Sequence, residues 1–282
     1  MINQKWIVEK SNNLMHQKIR IGSRHASFSG IIVKIRYLIY RNILSSPRIV
    51  ECSVCGWEGK HFASNRWHKL SICWNCWSEV RHRLIIETLS RIELLSFQRL
   101  VEGKVVLHFA PERGVGQVIK KYARKYVTTD INPKGVDIRL DISDMVGIKS
   151  NEFDLILVCE ILEHVNNDKR ALEEIHRVLR PEGYAILTVP QDDSLEVTYE
   201  DASITTDNGR ERAFGQSDHL RLYGKNFQDI LENVGFHVTI INEKNFSEDI
   251  VKKHVLVPPK FTDHPFARCV SRKVYFARKT VL

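Results

Sequence analysis

Two Cys-x-x-Cys pairs near the start of the chain are the residues whose spacing points most directly to a chemistry. Cys52 and Cys55 form the first pair, Cys73 and Cys76 form the second, and seventeen residues separate them. Two tight knuckles of this kind place four thiolates at the corners of a tetrahedron, the usual ligand set of a structural zinc ion. Since four sulfur ligands leave no open position for water, we expect the metal to hold the fold rather than to take part in a reaction.

The segment around these pairs is also rich in aromatic and basic residues. Its tryptophans, four of the five in the chain, are Trp57, Trp67, Trp74 and Trp77. A module of about thirty residues buries little apolar surface alone, so metal ligation and aromatic packing are expected to stabilise it. Alternatively, some of these rings stack on nucleic-acid bases. The basic residues, which either assist such binding or offset the charge of a zinc–thiolate centre, are Arg66, Lys69, Arg81 and Arg83.

A second stretch, VVLHFAPERGVG at residues 105–116, has the pattern of a buried strand that runs into a glycine-containing turn. The pattern predicts a helix over residues 117–126 and a second strand over 126–129, closed by Asp130. In doubly wound α/β folds this order cradles a nucleotide-like ligand, because the turn lets the backbone approach it and the acidic residue accepts hydrogen bonds from two ribose hydroxyls. Ala110 and Glu112 stand where such turns prefer glycine.

The rest of the chain alternates between strand and helix patterns, which predicts an α/β fold with a doubly wound, Rossmann-like sheet. The predicted strands span residues 135–140, 153–159, 184–189, 236–241 and 273–278, and the predicted helices span residues 79–97, 168–179 and 225–234. The run at 153–159 is apolar throughout and is expected to be buried on both faces. Residues 191–224 show no clean period, so we expect a lid or binding loop there, beside the strand ends where such sheets bind ligands.

The composition is that of an ordinary globular protein, with 43% hydrophobic and 27% charged residues among 282. Residues 1–100 carry 16 Lys and Arg against 6 Asp and Glu, which suits nucleic acid, an anionic membrane surface or an acidic substrate. Residues 31–44 predict a basic amphipathic helix that either packs on the protein or makes peripheral contact with a membrane. No secretory signal pattern is present and the cysteines are spaced for metal, so we expect a cytoplasmic location, free or at the inner membrane face.

These patterns divide the chain into four parts. Residues 1–48 are an N-terminal segment with the basic helix, residues 49–80 are the zinc-ribbon-like module, residues 81–102 are a connecting helix, and residues 103–282 are the α/β domain with its lid insertion at 191–224. The oligomeric state stays open, because no pattern in the sequence indicates one.

Five separated pieces of the α/β domain together resemble class I S-adenosylmethionine-dependent methyltransferases: VVLHFAPERG, YVTTDINP, VDIRLDIS, FDLILVCEILEHV and EEIHRVLRPEGYAILTVP. The LEHV after the fourth strand is similar to the methyltransferase type 11 group. The four cysteines, HFAPERG and the GQSDHLRLYG at residues 215–224 resemble a narrower bacterial subset, often associated with glycan or other small-molecule biosynthesis. The resemblance covers about residues 100–280. It implies a seven-stranded sheet whose last strand is antiparallel, with the cofactor across the carboxyl ends of the first four strands.

The resemblance also implies which residues hold S-adenosylmethionine. Asp130 would bind the ribose hydroxyls, Asp141 with Ile142 would face the adenine, and Glu160 with Ile161 would line the methionine side. The whole set of predicted cofactor contacts is His108, Phe109, Ala110, Pro111, Glu112, Gly114, Asp130, Ile131, Asp141, Ile142, Glu160 and Ile161.

The departures from the family pattern lie in the opening turn. Gly114 aligns with the last glycine of the family's acidic-x-Gly-x-Gly-x-Gly motif, whereas His108 replaces the acidic residue, and Ala110 and Glu112 replace two glycines. Glu112 either pairs with the ammonium group of the cofactor or faces solvent or a neighbouring arginine.

The resemblance predicts methyl transfer to a small-molecule or glycan acceptor, at oxygen. A hydroxyl nucleophile must lose its proton, and the candidate bases are His219 and His164, with Asp218 as an orienting carboxylate. Each histidine alternatively satisfies a backbone hydrogen bond. Arg221 and Tyr223 either hold an anionic or sugar group of the substrate or anchor the lid.

Two further functions compete with this one. An RNA methyltransferase would use the basic zinc module to hold RNA. The fourth strand ends in CEILEH rather than in the Asn/Asp-Pro-Pro-Tyr type of motif found where exocyclic base nitrogens are methylated. This difference disfavours an RNA methyltransferase but does not exclude one. A non-catalytic scaffold with a cofactor fold is the third reading, and only the altered opening turn supports it.

Overall fold

The computed structural model describes residues 50–64, 69–257 and 273–280. The basic helix predicted at residues 31–44 lies outside this part of the chain, as do Arg66 and Trp67. Within the described residues, every helix is too short or too polar to cross a membrane.

The zinc-ribbon-like module begins with a two-stranded ribbon, β1 (Val50–Glu51) paired antiparallel with β2 (Glu58–Gly59). The chain then enters a seven-stranded sheet. Its strands are β3 (Val105–Phe109), β4 (Lys125–Asp130), β5 (Ile138–Arg139), β6 (Phe153–Cys159), β7 (Leu179–Thr188), β10 (Phe236–Ile241) and β11 (Val274–Lys279). A further pair, β8 (Tyr199–Glu200) and β9 (Arg221–Leu222), lies in the insertion.

The sheet has the order β10-β11-β7-β6-β3-β4-β5. β4, β5, β6 and β7 run parallel to β3, whereas β11 is antiparallel to both β7 and β10. The chain proceeds from β3 outward to β5 and then returns to β6 on the other side of β3. A crevice therefore opens at the carboxyl ends of β3 and β6, which is where doubly wound sheets bind ligands. The predicted seven-stranded sheet with one antiparallel strand is confirmed.

Seven α-helices lie among the described residues: α1 (Val80–Arg91), α2 (Phe97–Leu100), α3 (Arg113–Tyr122), α4 (Asp168–Val178), α5 (Asp207–Phe214), α6 (Phe227–Glu232) and α7 (Glu248–His254). Short 3₁₀ turns cover Glu93–Leu95, Leu162–His164 and Glu243–Asn245. The predicted helix over residues 79–97 ends at Arg91, because Ile92 is extended. This bend allows Leu95 and Leu100 both to be buried.

Two apolar layers cover the faces of the sheet. On β6, Ile156 and Val158 join one layer, while Leu155, Leu157 and Cys159 join the other. This alternation is the period of two that a pleated strand imposes. It confirms that the apolar run at 153–159 is buried on both sides.

The starts of α3 and β7 and the structure of the insertion also differ from the sequence prediction. Helix α3 begins at Arg113 instead of residue 117, because two glycines in its first turn give room to the neighbouring elements. β7 begins at Leu179, and the predicted turn at residues 180–183 is an irregularity in its pairing with β6. Residues 191–224 are not structureless, since they contain β8, α5 and β9.

Candidate active site and zinc module

The four predicted zinc ligands converge on one point. The Sγ atoms of Cys52 and Cys76 are 3.7 Å apart, as are those of Cys55 and Cys73. Four sulfurs at the usual zinc–sulfur distance of about 2.3 Å form a tetrahedron with edges of about 3.8 Å, so the cluster has the size that zinc requires. Ser78 Oγ lies 3.1 Å from Cys52 Sγ and 3.2 Å from Cys76 Sγ, placing a hydroxyl donor beside two thiolates.

The module is fixed to the rest of the protein through a fully buried arginine on α1. Arg83 donates to the carbonyls of Ser71 and Ser78 in the module and to those of His254 and Val255 at the end of α7. Its guanidinium also lies 4.2 Å from the centre of the Phe62 ring. Because the Arg83 guanidinium lies near the thiolates, it offsets part of their negative charge. This is one of the two roles that the sequence left open for this arginine.

The opening turn after β3 packs directly against the zinc module. A Cβ atom on Gly114 would lie 3.1 Å from Val54 Cγ1 and 3.6 Å from Cys76 Sγ. The glycine therefore serves helix–module packing. Ala110, in a glycine position of the family motif, has φ of +42° and is exposed at the crevice. The turn thus keeps the left-handed conformation at some cost in backbone strain.

Glu112 contacts two histidines. The sequence predicted instead that it would pair with the ammonium group of the cofactor, or face solvent or a neighbouring arginine. Its Oε1 accepts from His82 Nε2 at 3.1 Å and its Oε2 accepts from His108 Nε2 at 2.8 Å. His82 Nδ1 accepts from the backbone N–H of Glu79, and His108 Nδ1 lies 2.8 Å from the Tyr126 hydroxyl. Burial alone would raise the pKa of Glu112, but the hydrogen bonds from the two histidines hold it well below its ordinary value.

Arg81 is a site residue that the sequence pattern did not single out as one. It lies on the first turn of α1 and pairs with Glu79 at 2.6 Å. Burial lowers the pKa of Arg81, but the carboxylates of Glu79, Glu160 and Glu112 more than offset this, so the pKa lies above its ordinary value. Its Nε is buried and has no hydrogen-bond partner among the described residues. A partly buried guanidinium whose Nε has no partner among the described residues fits an anionic ligand.

The residues predicted at the ribose and adenine end lie at the carboxyl ends of β4 and β5. Asp130 is half-buried at the end of β4, with Oδ1 accepting from the N–H of Asn132. Ile131 is 63% exposed, which suits a residue that packs on a planar ligand. Asp141 is exposed and accepts from Ser143, whereas Ile142 is buried in the core. Ile142 therefore supports this end from beneath.

Of the other residues predicted to contact the cofactor in the opening turn, some are buried and some are partly exposed. His108 and Phe109 are buried within the end of β3, so their side chains support the turn from below. Pro111 is half-buried beside Ala110. The exposed residues of this turn are Ala110 and Arg113.

The segment after β6 carries the groups that face the other side of the crevice. Glu160 has φ of +52°, and it and Ile161 are half-buried. The 3₁₀ turn then places Glu163 in the interior and His164 near the surface, with side chains 1% and 35% exposed. Burial raises the pKa of the Glu163 carboxyl well above its ordinary value, and the neighbouring Glu160 carboxylate adds to this.

The two predicted bases lie side by side, His164 on this turn and His219 in the insertion. The rings of His164 and His219 meet edge to face with centroids 4.7 Å apart. His164 Nδ1 is 3.2 Å from Asp218 Oδ2, as expected for an oriented imidazole. His219 is buried and its Nδ1 lies 3.1 Å from the Phe214 carbonyl oxygen. Burial, with the adjacent His164, lowers the pKa of His219 to about 4.

Arg221 and Tyr223 occupy the anchoring role rather than the substrate-binding role. Both side chains are buried. Arg221 donates to the Leu162 carbonyl at 2.8 Å and to Glu200 at 2.9 Å, and Tyr223 donates to Asp168 Oδ2 at 2.7 Å. These bonds fasten the insertion to the segment after β6 and so hold His219 in position.

The strand order, the antiparallel last strand and the acidic residues at the ends of β4 and β5 define the class I methyltransferase fold. Residues 103–187 match the family described as a methyltransferase domain. The chain therefore carries an S-adenosylmethionine-dependent methyltransferase domain of class I, preceded by a four-cysteine module.

The solved structures that the chain resembles are remote in sequence. The YcgJ protein from Bacillus subtilis is 14% identical, with 72% of this chain and 99% of that chain covered and a TM-score of 0.46. An S-adenosylmethionine-dependent methyltransferase from Mesorhizobium loti is 14% identical, with 64% and 92% covered and a TM-score of 0.44. One from Archaeoglobus fulgidus is 14% identical, with 65% and 89% covered and a TM-score of 0.43. None of the curated proteins matches the chain.

Proposed function

We propose that this domain transfers a methyl group from S-adenosylmethionine to a hydroxyl of a small-molecule or glycan acceptor. The observation that carries the proposal is the convergence of Glu163, His164 and His219 on one point beside the crevice. Methyl transfer to a hydroxyl oxygen forms an O–CH₃ bond as the S–CH₃ bond breaks, and the hydroxyl proton must leave. A cluster of nitrogen and oxygen donors next to the methyl-donor site supplies what this step needs.

The residues around the crevice fit the cofactor. Asp130 would bind the ribose hydroxyls, and Asp141 with Ile131 would face the adenine; the half-buried position of Asp130 after β4 and the exposure of Asp141 and Ile131 support these roles. The partly buried guanidinium of Arg81, whose Nε has no partner among the described residues, fits the carboxylate of the methionine moiety. The cofactor supplies the electrophilic methyl group when bound. The protein then has to align the acceptor oxygen and dispose of its proton.

His164 is the histidine that fits the role of base as long as no cation holds it. Its side chain is 35% exposed and is oriented by Asp218. His219, in contrast, is 1% exposed, so an acceptor would reach it only with difficulty. His219 is buried because the insertion packs Phe214 into the interior, and His219 Nδ1 lies against the Phe214 carbonyl oxygen.

The zinc module supports this function by shaping the opening turn. A metal in the four-thiolate cluster has no open position for substrate, so its part is structural. Among the described tryptophans, Trp57 packs on Phe62 and Trp74 donates to the His61 carbonyl, which leaves Trp77, 62% exposed, as the ring most available for stacking. A base-stacking surface for RNA is therefore small in this part of the chain.

The proposal is tested by supplying S-adenosylmethionine with a deuterated methyl group to the purified protein together with a small-molecule and glycan extract from cells that lack it. Mass spectrometry should find the label in one acceptor with the wild type and with the exposed control Asp207→Asn, and not with Asp130→Ala. Label in RNA added in a parallel reaction would instead support the RNA methyltransferase. Calorimetry showing no binding of S-adenosylhomocysteine would leave only a scaffold role.

A further inference from the structure

Three donor atoms from Glu163, His164 and His219 face one another beside the crevice. Glu163 Oε1 lies 3.9 Å from His164 Nε2 and 4.0 Å from His219 Nε2, and the three residues each offer one ligand atom within 4.8 Å of the other two. Ligands bound at about 2.0–2.2 Å to a common ion are separated by roughly 3–4 Å. A contraction of less than about 1 Å, within reach of side-chain rotation, would bring the three atoms to such separations.

The contacts at the far side of each ring indicate which of its nitrogens faces the cluster. The Phe214 carbonyl oxygen only accepts, so His219 Nδ1 carries the hydrogen and Nε2 presents its lone pair to the cluster. In the other ring, His164 Nδ1 lies 3.2 Å from Asp218 Oδ2, and Nε2, 3.9 Å from Glu163 Oε1, is the nitrogen on the side of the cluster. Donation of Nδ1–H to a carbonyl or a carboxylate is the arrangement that orients histidines toward a metal ion.

The carboxyl group of Glu163 is an independent indication. The side chain is 1% exposed, and its Oε2 has no hydrogen-bond partner among the described residues. A buried carboxyl oxygen without a partner costs free energy, and an ion is one of the few explanations for one in a folded protein. The backbone holds this residue in place, because the Glu163 carbonyl accepts from the N–H of Leu220 in the insertion.

We propose that Glu163, His164 and His219 bind a divalent first-row transition-metal ion, and that the acceptor hydroxyl occupies one of its open positions. Two imidazoles and one carboxylate suit Mn²⁺, Fe²⁺ or Co²⁺ and differ from the thiolate set of the zinc module. The inference rests on the proposed methyl transfer to oxygen and assigns His164 to the metal instead of to the proton. The ion lowers the pKa of the bound hydroxyl, whose proton leaves to solvent as the methyl group arrives.

The experiment titrates Mn²⁺ into the zinc-loaded full chain and measures free Mn²⁺ by electron paramagnetic resonance. Mn²⁺ is chosen because it competes poorly for thiolates. We expect one bound Mn²⁺ per wild-type chain, and a loss of affinity of at least about tenfold in Glu163→Gln and in His164→Gln. His237→Gln, which changes an exposed histidine of β10, should bind Mn²⁺ like the wild type. His164 is partly exposed, so its variant keeps the test meaningful if a change at the buried Glu163 disturbs folding.

Binding of S-adenosylhomocysteine, measured by calorimetry on the same samples, separates this inference from the proposed function. A wild type that binds S-adenosylhomocysteine but not Mn²⁺ would overturn the metal site alone. Equal Mn²⁺ affinity in the wild type, Glu163→Gln and His164→Gln would do the same. A wild type that binds Mn²⁺ at these residues but no S-adenosylhomocysteine would uphold the metal site and overturn the proposed methyl transfer.

Discussion

Glu112 Oε1 lies 3.1 Å from Nε2 of His82, so the turn that opens the methyltransferase domain is tied to the helix that carries the zinc module. The same carboxylate holds His108 at the end of β3. In this chain a charged bridge therefore occupies the place where the family motif has a glycine. The zinc module and the cofactor site form one structure through it.

Replacing Glu112 by Gln should lower the free energy of unfolding by about 1–3 kcal/mol at neutral pH, because two charge-assisted hydrogen bonds are weakened. The pKa of Glu112 is depressed in the folded protein, so its contribution is present above its ordinary pKa of about 4.5 and is lost as the pH falls through the lower folded value. The difference between wild type and variant in the free energy of unfolding, measured with urea, should accordingly be constant above about pH 5 and shrink below it.

The exposed Glu102→Gln is the matched control for this pH series, since it removes a carboxylate without a bridge. Acid also weakens zinc binding by protonating thiolates, but it does so in all three proteins, and the difference between them isolates Glu112. A stability difference that is independent of pH down to the acid limit would show that the carboxylate charge plays no part.

Gly114→Ala should destabilise the docking of the zinc module even though alanine favours a helix. The added Cβ would lie 3.1 Å from Val54 Cγ1, closer than packed carbon atoms normally approach, and overpacking of this kind costs about 1–3 kcal/mol. The second change Val54→Ala removes the opposing methyl groups and should restore much of the loss. Thermal unfolding of the two single variants and the double variant measures this coupling, and strictly additive effects would argue against the contact.

Cys73→Ser should remove bound zinc and weaken cofactor binding at a distance. The zinc knuckle packs on Gly114 at the start of α3, so loss of the module loosens the opening turn without touching the ligand. Metal analysis should find about one zinc per wild-type chain and much less in the variant. Lys60→Gln, in the same module but not a ligand, should keep both zinc and affinity for S-adenosylhomocysteine.

Local patterns in the sequence were sufficient for much of the fold. The strands at 153–159 and 236–241 were placed correctly because continuous or alternating apolar runs depend only on neighbouring residues. The start of α3 was missed, since the two glycines in its first turn indicate a loop by propensity. Their reason is tertiary, because Gly114 meets the zinc module and Gly116 lies under Tyr126.

The candidate site was harder to predict from the sequence, because tertiary contacts also determine where its residues lie. The histidines were identified by residue type, but Glu163 was read only as a neighbour of His164. Its burial follows from a 3₁₀ turn and from an insertion that folds back over it. Arg81 and His82 join the site across thirty residues of chain, through the docking of α1 on the opening turn. A contact between such distant residues cannot be predicted from the local periodicity of the sequence.

Arg81→Gln should weaken binding of S-adenosylhomocysteine by about one to two orders of magnitude, because a charged hydrogen bond to its carboxylate is worth about 1.5–3 kcal/mol. Methylthioadenosine, which lacks the amino acid part, should bind wild type and Arg81→Gln equally. Asp130→Asn should weaken both ligands alike, because both carry the ribose. Calorimetry with these two ligands therefore assigns each side chain to one end of the cofactor. An equal loss of both ligands in Arg81→Gln would mean that Arg81 supports the fold of the turn instead of binding the carboxylate.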